Sequence, residues 1–228
     1  MKLNAASRMK ILAIEFSSDQ RSVALFNAGS VLGAAVETAT RDTHALALVT
    51  QALAQARLER EAVECLALGL GPGSYTGIRC AIALAQGWQL AVGESRMKLL
   101  GLSSVACLAA EAQSQGWFGM VNIVIDAQRN EFYLAGYEIT ATSCREVQPL
   151  KLASLDEARS RALAGELMVG PEVNRWFEAG RVLFPTAAML GRLAADQTNF
   201  VSGEKLEPIY LRETSFVKAP PLRILPVK

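Results

Sequence analysis

The apolar positions of this chain fall first in short runs and then in stripes. Met9–Phe16 (MKILAIEF) is a run with alternation near its end and reads as a buried strand. Ser22–Phe26 and Val31–Glu37 read as two more strands. The turn clusters Ser17-Ser18-Asp19-Gln20 and Asn27-Ala28-Gly29-Ser30 separate them. The period then lengthens. Thr43 to Ala56 predicts a helix with Asp42 or Thr43 as its N-cap. Cys65–Leu70 is apolar throughout, as a central strand should be. Gly71-Pro72-Gly73-Ser74-Tyr75-Thr76-Gly77 is a glycine-rich loop, and Ile78 to Leu90 a second helix. Met97–Leu102 predicts a further strand, with Ser103 or Ser104 capping a third helix that ends near Gly116.

Three meandering strands followed by helix, strand, helix, strand and helix predict an α/β fold, with mixed sheets flanked by helices. The order matches the ribonuclease-H-like half of actin-like ATPases. The second half is less regular. Val121–Ile125 and Glu131–Tyr137 predict a hairpin, Ser154–Ala164 an amphipathic helix, Glu166–Val169 a short strand and Thr186–Asp196 a last helix. Pro208–Arg212 reads as extended. The expected organisation is an N-terminal extension at 1–8, a subdomain at 9–104, a second at 105–215 and a Pro-rich tail at 216–228. No internal repeat or low-complexity tract is visible.

Composition narrows the function classes. The chain has 228 residues, 51% hydrophobic and 20% charged, with a net charge of +1. That supports a packed core and argues against disorder. So balanced a chain lacks the basic surplus of an autonomous nucleic-acid binder. Cys65, Cys80, Cys107 and Cys144 are scattered without a Cys-x-x-Cys pair and read as reduced, buried thiols. No apolar run is long enough to span a bilayer, and Ile11–Ile14 is too short for a signal peptide. A cytoplasmic protein is expected.

The glycine loop admits two readings. Gly71, Gly73 and Gly77, with Ser74 or Thr76 at the head of a helix, suit an anion or nucleotide cradle. They suit a tight strand-to-helix connection equally. No Gly-Lys-Ser/Thr follows, so this is not a Walker loop. Glu15, at the end of the first strand, stands where actin-like ATPases keep an acidic residue near the metal. His44 is the sole histidine. A metal site on its helix would need a second ligand one turn on, and that position is Leu48. His44 therefore reads as capping or partner-facing, and no metal site and no catalytic residue are assigned. A nucleophilic triad would have to use this single histidine as its base, and neither a Gly-x-Ser-x-Gly elbow nor an active cysteine context is present.

The strongest physical signal is a lack of charge. Thr43 to Ala56 contains no Asp, Glu, Lys or Arg, and Ser74 to Gly93 contains only Arg79. A monomer's surface helix carries a charged outer face. These two helices are either covered by a partner or covered by the chain's own second half. The partner reading assigns His44, Leu48, Gln51, Gln55, Arg79, Ile82, Ala85, Gln86 and Gln89 to an interface. On it, Ala85→Glu should abolish docking and leave the monomer folded.

Four stretches carry a resemblance. Met9–Ser17 (MKILAIEFS), Gly71–Arg79 (GPGSYTGIR), Ile125–Tyr133 (IDAQRNEFY) and Glu207–Arg212 (EPIYLR) resemble the signatures of the TsaB, or YeaZ, family, in order along nearly the whole chain. The resemblance implies an actin-like fold in two subdomains and a non-catalytic subunit in the formation of threonylcarbamoyladenosine, 3′ of the anticodon in tRNAs reading codons that begin with A. It implies a heterodimer with TsaD through the first two helices, TsaE as a further partner, and tRNA met through the complex. TsaD's metal-binding His-x-x-x-His helix has His44 and Leu48 at the matching places. No cofactor is implied for the chain alone; ATP or ADP belongs to the assembled complex. A homodimer through the same helices is expected of the isolated chain. The alternative is a self-standing actin-fold ATP-dependent transferase or an M22-type metallopeptidase.

Overall fold

The computed structural model describes residues 9–38 and 44–212. The predicted caps Asp42 and Thr43, the extension at 1–8 and the tail at 216–228 lie outside them. The described residues form two five-stranded mixed sheets.

The first sheet opens with β1 (Ile11–Glu15), β2 (Gln20–Asn27) and β3 (Ser30–Thr38), a meander. Helix α1 (Ala45–Ala56) leads to β4 (Cys65–Gly69), and α2 (Tyr75–Val92) to β5 (Lys98–Leu102). The strand order is β3-β2-β1-β4-β5, with β1, β4 and β5 parallel. β1 and β4 are buried at every position because both faces of the sheet are covered. Register pairs Leu12 with Leu66 and Ile11 with Cys65, so successive residues serve opposite faces. Leu12, Ile14, Leu66 and Leu68 pack under α1 and α2. Ile11, Ala13, Cys65 and Ala67 pack on the other side.

Helix α3 (Ser104–Ser114), capped by Ser103 Oγ, leads into the second sheet. Its strands are β6 (Gly119–Asp126), β7 (Glu131–Ile139), β8 (Cys144–Ser154), β9 (Leu167–Gly170) and β10 (Arg181–Val182), with α4 (Leu155–Leu163) between β8 and β9. The order is β10-β9-β6-β7-β8. Numbered from its own first strand, this is the arrangement of the first sheet again. A central strand has a two-strand antiparallel meander on one side and two parallel strands on the other. The repeat exists in topology and is invisible in sequence.

Helix α5 (Ala187–Ala194) departs from the expected organisation. Its Ala187, Leu190 and Ala194 pack on Ile11, Ala24 and Phe26 of the first sheet. Leu206 also returns there, beneath α1 and α2. The expected subdomain at 105–215 therefore does not map onto one sheet. The reason is physical: the second face of the first sheet is apolar, and the chain must come back to cover it.

Strand β8 has no counterpart among the elements that the sequence pattern predicts. It is an edge strand, which tolerates its Pro149 and leaves most positions half-buried or exposed. The N-cap of α1 is His44, which makes no side-chain cap bond.

Candidate functional site: glycine loop and docking face

The loop between β4 and α2 closes on the β1–β2 turn. Ser74 N donates to Ser17 O at 2.7 Å. A Cβ on Gly73 would collide with the Ser17 carbonyl oxygen, and one on Gly77 with that of Phe16, so both glycines are required for close approach. Gly71 N donates to Ser104 Oγ at 3.2 Å, and Gly77 N to the cap oxygen of Ser74 at 3.3 Å. These three amides are engaged inside the chain. Gly73 and Gly77 thus serve a tight strand-to-helix connection. Thr76 is exposed, and Ser74 is the cap.

Glu15 lies beneath this loop and is fully buried. Its carboxylate accepts from Ser17 N and from Ser104 Oγ, both at 2.8 Å. Burial pushes its carboxyl up, against the opposing pull of the Ser17 and Ser104 bonds. The thiols are free. Burial raises Cys65 to about 12 and Cys107 well above the usual range, which leaves both inert. Cys80 and Cys144 are half-buried. Among the described residues no group of three or more His, Cys, Asp or Glu could hold a metal ion. No helix there is long and apolar enough to cross a membrane.

The expected interface residues divide in two. Leu48, Ile82, Ala85 and Gln89 face inward and are buried in the chain's own core, which corrects their assignment. Alanine on both sides of α2 hides its inward stripe from a periodicity argument. Gln89 is a buried polar group with both ends satisfied: Nε2 donates to Met97 O at 3.0 Å, and Oε1 accepts from Gly203 N at 2.9 Å. Ala85→Glu would thus break the fold instead of testing docking. His44, Gln51, Gln55, Arg79 and Gln86 are exposed. Gln55 caps the edge of the first sheet by accepting from Ala34 N, Gln86 donates to Gly203 O at 2.8 Å, and His44 Nδ1 sits 3.1 Å from Glu37 Oε2.

The outer faces of α1 and α2 are open to solvent. Leu46 is 74% exposed and Leu90 87%. Beside the helices lies a groove of about 880 Å³, lined by apolar residues such as Leu46, Val49, Leu84 and Trp88 and also by the charged Arg60, Glu61, Glu64 and Arg96. Among the described residues of the second half, the 203–206 segment meets α2 at Gln86 and Gln89, and Leu46 and Leu90 stay exposed.

Sequence reasoning missed an aromatic cluster at the head of α2. Tyr75 stacks on Tyr210, with ring centroids 5.5 Å apart, and Arg79 lies over the Tyr75 ring and donates to its hydroxyl. Burial raises the Tyr210 phenol, with Tyr75 and Tyr133 adding to it and Arg79 opposing. Two residues on, Arg212 donates to Ala127 O at 3.0 Å and to the Glu131 carboxylate. The four stretches that carry the family resemblance therefore meet in space. Phe16 and Ser17 touch the glycine loop, Tyr75 touches Tyr210, and Arg212 touches the β6–β7 turn. Their order along the chain was the only sequence signal of this convergence.

Two sheets of one strand order, each a meander joined to parallel strands, are the actin-like ATPase, ribonuclease-H-like architecture. A family model described as TsaD, tRNA N6-adenosine threonylcarbamoyltransferase, matches residues 37–218. The tRNA threonylcarbamoyladenosine biosynthesis protein TsaB of Escherichia coli is 30% identical, over 90% of this chain and 95% of that protein. That of Haemophilus influenzae is 27% identical, over 93% and 98%. The structure of YeaZ from Pseudomonas aeruginosa superposes with a TM-score of 0.75 at 27% identity, covering 89% of this chain and all of that one. The chain belongs to the TsaB (YeaZ) family of tRNA threonylcarbamoyladenosine biosynthesis proteins.

Proposed function

We propose that this chain is a non-catalytic subunit in the formation of threonylcarbamoyladenosine in tRNA, and that it works by docking α1 and α2 onto a TsaD-type catalytic subunit. The observation that carries this reading is a pair of helices with exposed, nearly uncharged outer sides. Leu46 and Leu90 stand in solvent on two helices whose only charged residue is Arg79. The groove of about 880 Å³ beside them offers apolar wall residues such as Leu84 and Trp88 to an amphipathic helix of the partner. Exposed apolar surface of this kind marks sites where another protein docks. TsaE joins the assembly on this reading, tRNA is met through it, and the setting is the cytoplasm. A nucleotide, ATP or ADP, is held within the complex and not by the isolated chain, whose loop amides at Gly71, Ser74 and Gly77 are engaged internally. Alone, the same face pairs two copies of the chain.

Leu90→Glu tests this. Leu90 is so exposed that the charge leaves the monomer folded. At an interface it costs about 2 kcal/mol or more, roughly thirtyfold in affinity. Co-purification with TsaD and the modification of tRNA by the reconstituted system should fall together. Unchanged binding by a folded Leu90→Glu variant would place the interface elsewhere. Turnover of substrate by the isolated wild-type chain would refute the non-catalytic assignment.

A further inference from the structure

Residues 201–212 form no strand of their own, yet they touch both halves of the molecule. Val201 N donates to Leu99 O at 3.0 Å. Gly203 is clasped on both sides by α2, through Gln89 Oε1 and Gln86 Nε2. Leu206 is buried beneath the helices. Ile209 N donates to Leu70 O at 2.8 Å, and Tyr210 then lies on Tyr75. Arg212 ends the path on the β6–β7 turn, on the carbonyl of Ala127 and the carboxylate of Glu131.

That turn is strained. Gln128, Arg129 and Asn130 are consecutive non-glycine residues with φ of 62°, 58° and 59°. Left-handed backbone costs such residues on the order of 1 kcal/mol each and persists only where the surroundings hold it. Local bonds supply part of the hold: Gln128 N donates to Asp126 Oδ1 at 2.7 Å, and Ala127 N to Glu131 O at 3.0 Å. From outside the hairpin, Leu155 N donates to Asn130 O at 3.2 Å on one side, and Arg212 holds Ala127 O and the Glu131 carboxylate on the other.

We propose that residues 203–212 are a strap that ties the head of α2 to the β6–β7 turn, so that the state of one sets the order of the other. Tyr75 and Tyr210 are 54% and 45% exposed, so a body seated on the head of α2 meets the stack directly. Tightening the stack presses Arg212 onto the turn, and loosening it frees a strained hairpin to relax. The coupling needs no contact between the docking body and the second sheet. It deepens the docking reading by giving that face a second output, but the strap itself is testable in the isolated chain.

The experiment is hydrogen exchange on the full-length chain, read on peptides spanning 126–131. Tyr75→Ala lies on α2 and removes the stack together with the Arg79 contacts to the same ring, none of which touches the turn. We expect exchange in 126–131 to rise about fivefold or more, while β4 and β6 keep their protection. Arg212→Ala should do the same, and Tyr75→Phe, which keeps the ring, should behave as wild type. Arg145→Ala, which removes a surface pair with Glu138, should leave the turn unchanged. If Tyr75→Ala leaves the turn at wild-type exchange while Arg212→Ala does not, nothing is transmitted and the proposal fails. If neither variant alters it, Arg212 is no anchor and the proposal also fails. Should Tyr75→Ala lose its native circular dichroism, Tyr210→Ala replaces it under the same criterion. A second arm adds TsaD: bound wild type should protect 126–131, and bound Arg212→Ala should not. Binding without that protection overturns the coupling. Failure to bind counts against the docking reading alone, and the strap is then decided by the isolated-chain exchange.

Discussion

At the scale of single residues, the decisive groups are those the glycine loop leaves no room to change. A methyl group at Gly77 meets the Phe16 carbonyl, which is backbone and cannot step aside. Gly77→Ala is therefore expected to destabilise the chain by about 1–3 kcal/mol in chemical denaturation. Gly87, on the open side of α2, has nothing within 4 Å of an added Cβ. Gly87→Ala should stabilise the monomer by about 0.5–1 kcal/mol through helix propensity. If the two substitutions act alike, the loop is not held by steric closure. Glu15 gives a pH signature. Its folded carboxyl is raised above the ordinary 4.5 by burial, so the folded state holds the proton more tightly than the unfolded one. Its contribution is fully present below 4.5 and declines as pH rises through the raised value. Glu15→Gln keeps an acceptor for Ser17 N and cannot ionise. The gap in unfolding free energy between variant and wild type should move in the variant's favour as pH rises from 4.5. A gap independent of pH would refute the assignment.

At the scale of elements, the sequence was readable where period and burial agree. β1 and β4 are central, apolar at each position, and stand out without any knowledge of their neighbours. α1 and α2 announce themselves by period and by missing charge. Which side of α2 faces in was not readable. Alanine is neutral on both faces, and Gln89, polar by name, is buried because Gly203 lies more than a hundred residues away to satisfy it. β8 escaped for the opposite reason: an edge strand with Pro149 and half-exposed positions lacks the pattern of a core strand. The missing charge was a sound signal for the helix pair as a whole and a poor one for individual side chains. The practical consequence is that surface substitutions belong at Leu46, Gln51, Arg79 and Leu90. Leu46→Asp, one helix away from Leu90, should also weaken self-association, seen as a larger monomer fraction in sedimentation at equal concentration. Equal monomer fractions for Leu46→Asp and wild type would exclude α1 from that contact.

At the scale of the molecule, the two sheets repeat one topology, but the chain does not build them as independent bodies. Both sheets are complete at Val182. Beyond that residue come α5 and the strap, and both return to the first sheet. A chain ending at Val182 would keep all ten strands and leave Ile11, Ala13, Ala24, Phe26 and Leu100 without the α5 side chains that cover them. Losing that cover costs about 1.5–3 kcal/mol for each large side chain left facing water, against a typical total stability of about 5–15 kcal/mol. Three such residues, Ile11, Phe26 and Leu100, already take up most of the low end of that range. The truncated chain is therefore expected to lack a cooperative thermal transition and to bind a hydrophobic dye, although every hydrogen-bonded strand pair is present in its sequence. A version ending at Ala195 restores α5 and omits the strap. It should regain cooperative unfolding, at a lower midpoint than the full chain, because Leu206 and the clasp on Gly203 are still missing. If the chain ending at Val182 unfolds as cooperatively as the full-length protein, the first sheet stands without α5. The sheets would then be separable modules after all, and the returning segment an addition to a fold already complete.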